Sequence, residues 1–191
     1  MGKHVEYRPE WVREDFIDFL AEKVNPLWAW KKAKARIVAK HHLSDDFVYM
    51  QLQPNHHFKA TDYQAGQSIL VTVLIAGVRW QRSYSIVEIL ENGNLVIAVK
   101  QQGKVSNALT QQPVKSVVEI SQTQGEFVLK SQPHSALMIA SGSGITAIYA
   151  LINAALKRPQ TVSNIDLIYF TRDDSFHAEL QQLTEHYPQF K

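Results

Sequence analysis

The amino-acid sequence predicts a β plus α/β fold, in which a small antiparallel barrel precedes an incomplete parallel βαβ unit and an amphipathic helix stands at the N-terminus. Two changes of hydrophobic period lead to this prediction. From about residue 35, short runs of period two alternate with turn residues, a pattern typical of a small barrel. After Pro133, short continuous apolar runs flank a helical pattern, which is typical of parallel strands buried on both faces.

The first segment, 1–33, is expected to be helical. Pro9 can occupy a first helical position, and apolar residues recur at helical spacing as far as Val24, before Pro26 ends the pattern. A stretch rich in tryptophan and lysine follows at 27–36. It is compatible with a seat at a membrane interface or on an acidic partner, and equally with packing on the following domain.

Runs of period two predict the strands of the barrel domain, 34–131. The predicted strands are 35–43, 46–54, 67–77, 78–87, 94–100, 116–121 and 126–129. Turn signals such as Ser44-Asp45 and Asn92-Gly93-Asn94 separate the strands. At least six short strands with turns between them indicate a small antiparallel barrel.

The remainder of the chain, 132–191, predicts a parallel βαβ unit. The run 136–140 is a buried strand, a Ser-Gly-Ser-Gly turn leads into a helix over 145–156, and 165–170 is a second buried strand. A last helix is expected over 175–186. Because two strands and one final helix cannot cover both faces of a parallel sheet, we expect either a fragment or a sheet completed by a partner surface.

Composition excludes several classes of function. Lys and Arg number 20 against 18 acidic residues, so the net charge of +2 gives no support to a nucleic-acid partner. There are no cysteines, which excludes a disulfide scaffold, a thiolate zinc site and a Cys-ligated iron–sulfur cluster within this chain. The pairs His41-His42 and His56-His57 point to opposite strand faces, so no metal site is predicted. A cytoplasmic protein, free or peripheral at a membrane, is expected, since neither a signal peptide nor a membrane span is visible.

The stretch Arg82-Ser83-Tyr84-Ser85 is the first candidate site. Side chains at i and i+2 of a strand share one face about 6.5–7 Å apart, so Arg82 and Tyr84 project together between two hydroxyls. A cation beside a flat aromatic ring suits a ligand that carries both phosphate and a large planar ring. The alternative is an ordinary strand end with a solvated arginine.

Three further stretches could bind phosphate. In 103–109, Ser106 can cap a short helix whose first N–H groups are unpaired. In 141–146, glycines between a buried strand and a helix permit a tight turn and a close approach of pyrophosphate. In 169–174, Arg172 follows the second parallel strand and could meet a phosphate or pair with the neighbouring aspartates. For each stretch a purely structural turn or ion pair is the alternative.

In this order, Arg-x-Tyr-Ser, Gly-x-x-Ser and Gly-Ser-Gly-Ile-Thr resemble the ferredoxin–NADP reductase family. The resemblance runs from about residue 34 to the end. It implies a six-stranded antiparallel flavin-binding barrel (FR-type) over 34–131 and a partial NAD(P)-binding domain over 132–191. The chain departs from the family in having Ala147 where proline is usual, and in lacking the third parallel strand and the C-terminal cysteine motif.

The resemblance also implies residue roles. Arg82 would hold flavin phosphate, Tyr84 would lie against the isoalloxazine ring, and Ser85 would bond near flavin N5, which makes Tyr84 and Ser85 the predicted catalytic residues. The other residues expected to bind flavin are Ser83, Val99, Lys100, Gly103, Val105 and Ser106, with Val99 and Lys100 acting through their backbone. The residues expected to bind the nicotinamide nucleotide are Gly142, Ser143, Gly144, Ile145 and Thr146, with Arg172 as an indication of NADP.

The function implied is electron transfer from NAD(P)H through FAD, with FMN as the alternative flavin, to an iron–sulfur domain or ferredoxin-like carrier. The N-terminal helix and tryptophan segment resemble reductases that serve membrane fatty-acid desaturases, whose iron–sulfur domain is missing here. Two other hypotheses remain at this stage. One is a flavin- or nucleotide-binding module that docks a partner without turnover, and the other is a docking domain whose motifs are only turns.

Overall fold

The computed structural model describes residue 20 and residues 23–28, 32–129, 135–157 and 163–191. Most of the helix predicted over 9–24 lies outside the described residues. Of the tryptophan segment, Trp28 is described, and its side chain is 54% exposed. Within the described part of the chain, no helix is both long and apolar enough to cross a membrane.

Six antiparallel strands form a closed barrel, as the sequence predicts. They are β1 (Lys34–His42), β2 (Phe47–Pro54), β3 (Ser68–Ile75), β4 (Val78–Ile89), β5 (Leu95–Lys100) and β6 (Val117–Ile120). Their order around the barrel is β1-β2-β5-β4-β3-β6, and pairing of β6 with β1 closes it. The prediction of a further strand over 126–129 was wrong. Because β6 already pairs with β3, that stretch finds no free edge, and nearby only Gln124 bridges to Ser68.

The barrel interior is filled by side chains from alternate strand positions, as period two requires. Ile37, Met50 and Ile97 are fully buried there. Each such side chain contributes about 1.5–3 kcal/mol through burial. Helix α1 (Lys104–Gln111) packs Val105 and Leu109 into the same core. The start of α1 is therefore held in place by the barrel core.

The second part of the chain is the incomplete parallel βαβ unit that the sequence predicts. Strands β7 (Ser135–Ser141) and β8 (Asn164–Phe170) pair in parallel and are connected through a 3-10 turn and helix α2 (Ile145–Leu156). Helix α3 (His177–His186) follows β8. The last three residues continue the sheet beyond β8, since Ile165 N donates to Gln189 O (2.8 Å) and Lys191 N donates to Ile165 O (2.9 Å). They add one isolated parallel bridge, between Ile165 and Phe190, to a sheet of two strands.

A second apolar core joins the barrel to the βαβ unit. Residues that point outward from the barrel, including Phe47, Tyr49 and Ala98, pack with Ile145 and Ile152 of α2. Since α2 begins at the turn after β7, this core holds that turn beside the ends of β4 and β5.

The opposite face of the β7–β8 sheet is apolar and has no cover among the described residues. Its exposed side chains are Leu137, Ile139, Ile168 and Phe170, which are 44–63% exposed. The other face packs Met138, Ala140 and Ile165 into the second core. Among the described residues the sheet is therefore covered on one side only, as the sequence predicts.

Candidate functional site

A cavity of about 380 Å³ lies where β4, β5, the start of α1 and the turn after β7 meet. Its walls include residues from three of the four predicted stretches. From the first come Arg82, Ser83, Tyr84 and Ser85, from the second Gly103, Val105 and Ser106, and from the third Ser143, Gly144 and Thr146; Lys100 at the end of β5 also lines the cavity. Segments that lie up to 66 residues apart in sequence thus converge on one concave surface.

Strand β4 presents the aromatic part of the cavity. Tyr84 is half-buried and packs against the barrel core opposite Ile69. Burial raises the pKa of Tyr84 to about 12, although the nearby Arg82 cation acts in the opposite direction. The phenol is therefore neutral at physiological pH and offers a flat, uncharged ring.

Arg82 supplies an uncommitted positive charge beside that ring. The side chain is exposed, and its Nη1 donates to the neighbouring Gln81 carbonyl oxygen at 2.8 Å. Among the described residues it pairs with no carboxylate. By contrast, Arg79 points to the other face of β4 and pairs with Glu119 at 2.6 Å. The charge of Arg82 is thus available to an anionic ligand.

The two serines of β4 differ in their hydrogen bonding. The hydroxyl of Ser83 donates to Ser68 Oγ at 2.9 Å, so it is partly committed to the barrel. Ser85 lines the cavity, and its hydroxyl has no hydrogen-bond partner within the described residues. Ser85 is therefore the hydroxyl that can bond to a ligand.

The start of α1 differs from the sequence expectation. Gly103, not Ser106, is the N-cap, and its φ of −161° is extended backbone that any residue adopts. Ser106 lies at the third helical position and reaches back, accepting from Gly103 N (3.0 Å) and Gln102 N (3.2 Å). The expectation failed because a serine can bond to the helix start from inside the first turn as well as from the cap. The first-turn N–H groups, which have no intrahelical acceptor, lie in the cavity wall.

The turn after β7 supplies the opposite wall. Gly142 has a φ of +51°, a left-handed conformation that favours glycine. The Thr146 hydroxyl donates to Ser143 O at 2.9 Å, and the Tyr169 hydroxyl donates to Gly142 O at 3.3 Å. These bonds fix the turn with Ser143 and Gly144 at the cavity.

Four of the candidate residues lie outside the cavity lining. Val99 and Ile145 are fully buried in the two cores, so only their backbone could meet a ligand. Gly142 shapes the turn without lining the cavity, and Arg172 is exposed near the end of β8.

Asp173 pairs with a residue of the barrel. One sequence interpretation had paired it with its neighbour Arg172, and that interpretation was wrong. Its carboxylate lies 3.1 Å from Lys100 Nζ and accepts bonds from Thr171 Oγ1 and from the backbone N–H and hydroxyl of Ser175. Hydrogen bonds from Ser175 in particular hold the pKa of Asp173 at about 2. Arg172 pairs with no carboxylate among the described residues. The adjacent Ser175 hydroxyl also bonds to Ser44 Oγ at 3.0 Å, which adds a second tie to the barrel.

Sequence reasoning gave no role to four residues of the cavity lining. They are Trp80, Ala98, Gln102 and Lys104. Trp80 could have been predicted, because it lies two residues before Arg82 on the same face of the strand, just as Tyr84 lies two residues after it. Its indole lies 4.5 Å from Lys104 Nζ, measured to the ring centroid, and this contact between strand and helix has no local sequence signal.

Comparison with known proteins agrees with this geometry. The family model described as "Oxidoreductase FAD-binding domain" matches residues 34–129. A flavohemoprotein from a Burkholderia species is 29% identical over 177 residues, which cover 89% of this chain and 44% of the relative. An NADPH oxidoreductase from Mycobacterium tuberculosis is 30% identical over 179 residues, which cover 87% of this chain and 46% of the relative. The chain thus spans about half the length of these relatives.

A solved structure shares the fold. The flavohemoglobin of Malassezia yamatoensis with bound FAD and heme superimposes with a TM-score of 0.75 at 19% identity, covering 84% of this chain and 44% of that one. The matched family model takes in the whole barrel and the β4, β5 and α1 walls of the cavity. On this evidence of sequence and architecture together, the chain belongs to the family of oxidoreductase FAD-binding domains.

Proposed function

We propose that this chain binds FAD in the cavity and forms the flavin- and nucleotide-binding part of an NAD(P)H-dependent reductase with a one-electron acceptor. One observation carries the proposal. A single cavity combines a neutral ring, an uncommitted cation and a free hydroxyl on β4 with a helix start and a glycine turn. Family membership supports FAD as the ligand of the barrel side.

The residues present fit a flavin dinucleotide. Tyr84 offers a flat neutral ring to the planar isoalloxazine, and Ser85 offers a hydroxyl with no protein partner among the described residues. Arg82 and the first turn of α1 offer positive charge to the phosphates. Gly103, Val105 and Ser106 complete that side, and Val99 and Lys100 contribute backbone only, since the Lys100 ammonium is paired with Asp173.

When bound, FAD supplies a centre that accepts two electrons as hydride and releases them one at a time. The chain's own residues then act by position and charge. Arg82 neutralises phosphate, Tyr84 fixes the plane of the ring, and Ser85 holds one ring edge by a hydrogen bond. No side chain of the cavity is required to act as a general acid or base.

We assign the nicotinamide nucleotide to the opposite wall. Ser143, Gly144 and Thr146 follow the carboxyl end of β7, where parallel sheets of this kind bind ligands. Because this turn opens on the same cavity as Tyr84 and Ser85, a nicotinamide held there would meet the flavin ring directly. Arg172 near the end of β8 is the candidate for a 2′-phosphate and so for NADPH.

The acceptor is proposed from the resemblance in sequence. An iron–sulfur domain or ferredoxin-like carrier, acting for a membrane desaturase, is the acceptor that the N-terminal segment favours, and the exposed Trp28 leaves that segment a surface for docking. A second candidate is a binding module that docks a partner without turnover. The uncovered apolar face at Leu137, Ile139, Ile168 and Phe170 favours it, since a docked partner would bury that face.

The test begins with a visible spectrum of the purified chain, followed by titration with FAD and FMN. A colourless protein that takes up no flavin would refute the cofactor assignment. The loaded protein is then mixed with NADH or NADPH without oxygen. Bleaching of the flavin supports the reductase, whereas flavin uptake without bleaching supports the binding module. A plant-type ferredoxin is then added to the reduced protein, with a heme protein as a different class of one-electron acceptor. Reoxidation of the flavin by the ferredoxin supports the iron–sulfur acceptor, and reoxidation by the heme protein alone contradicts it.

A further inference from the structure

We propose that Trp80 and Lys104 form a purine subsite at the far end of the cavity, which makes the site selective for FAD over FMN. The proposal rests on the proposed flavin function and deepens it. It assigns a ligand group, the adenine ring, to two residues of the cavity lining.

The order of side chains along β4 matches a dinucleotide. Tyr84, Arg82 and Trp80 occupy alternate positions and therefore share one face of the strand. They present a ring, a cation and a second ring, with about 13 Å between the two outer positions. FMN has one ring system and one phosphate, so it can engage only the first two. FAD carries a second ring system beyond its diphosphate, and Trp80 stands where that second ring needs a partner.

The surroundings of Trp80 leave its indole ring at the cavity. The indole is half-buried, packs against the barrel core and lines the cavity. Stacking of a base on an aromatic side chain is a common mode of recognition, and it uses the ring face, not the N–H.

Lys104 is placed to serve both parts of such a ligand. Its ammonium lies 4.5 Å from the Trp80 ring centroid, a cation–π contact, and it has no carboxylate partner among the described residues. Lys104 is also the first residue of α1, directly after Gly103, which has no side chain to close the space between strand and helix. When a purine takes the indole face, the ammonium can turn to the diphosphate beside Arg82.

The test compares dissociation constants for FAD and FMN, measured by quenching of flavin fluorescence. Trp80→Leu should weaken FAD binding about tenfold or more and FMN binding less than about twofold, because stacking on one base is lost. Trp80→Phe keeps a ring and should stay within about threefold of the wild type for both flavins. Trp28→Leu makes the same change at an exposed tryptophan outside the cavity and should alter neither constant.

Lys104→Met leaves the barrel core intact and keeps the proposal testable if Trp80→Leu does not fold. It should weaken FAD binding about fivefold and leave FMN binding within about twofold. Equal losses for the two flavins, or an unchanged preference for FAD in both variants, would overturn the purine subsite. Those results would contradict the purine subsite but not the proposed reductase function. If the wild type bound neither flavin, the proposed reductase function itself would be contradicted.

Discussion

Removal of the Arg82 guanidinium gives the sharpest test of the phosphate role in the cavity. A hydrogen bond to a charged group contributes about 1.5–3 kcal/mol, so Arg82→Ala should weaken FAD binding by about 10- to 150-fold. Arg82 is exposed and has no ion-pair partner among the described residues, so its loss leaves no buried charge behind. The free energy of unfolding should therefore change by less than about 0.5 kcal/mol.

Arg79→Ala is the matched control, because Arg79 lies on the opposite face of the same strand and outside the cavity. It pairs with Glu119 at 2.6 Å, and this exposed pair should contribute at most about 1 kcal/mol to stability and nothing to flavin affinity. Arg82→Lys keeps the charge but loses the planar fork, so its affinity should fall between those of the wild type and Arg82→Ala. The assays are FAD fluorescence titration and urea unfolding. If Arg82→Ala bound FAD as tightly as Arg79→Ala, the phosphate role would be refuted.

Three further predictions concern the tie to the barrel, the tyrosine and the glycine turn. Asp173→Asn should lower the free energy of unfolding, measured with urea, by about 1 kcal/mol. Glu88→Gln removes a more exposed carboxylate and should lower it by less. Because the folded pKa of Asp173 is lowered from 3.8 to about 2, its contribution should be present above pH 3.8 and be lost as the pH falls through about 2. Spectroscopic titration of Tyr84, compared with Tyr84→Phe, should show ionisation near pH 12, and ionisation near 10 would contradict its burial. Gly142→Ala should lower the free energy of unfolding by about 1 kcal/mol, because residue 142 has a left-handed backbone conformation. Gly144→Ala should leave that free energy unchanged and weaken nucleotide binding. Urea unfolding and nucleotide titrations measure the two effects.

The barrel and the βαβ unit could be predicted because both depend on local periodicity. Most of the cavity followed as well, since a period of two puts Arg82 and Tyr84 on one face of β4 and Gly144 lies in the turn after β7. The partner of Asp173 could not be predicted in this way. A local reading favours the adjacent Arg172, but the backbone turn that bonds Asp173 to Ser175 aims its carboxylate at Lys100, 73 residues earlier in the chain.

The contact between barrel and βαβ unit holds the two walls of the cavity together through apolar packing. Phe176 adopts a left-handed backbone conformation at a φ of +63°, which costs an ordinary residue about 1–2 kcal/mol. Its fully buried ring lies 5.8 Å from the rings of Phe47 and Tyr49 on the barrel and 5.3 Å from that of Tyr149 on α2. Burial of a phenylalanine contributes about 1.5–3 kcal/mol, which is enough to offset the strain. Apolar packing of Phe176 on the barrel and α2 therefore helps to set the distance between the Tyr84 wall and the glycine turn.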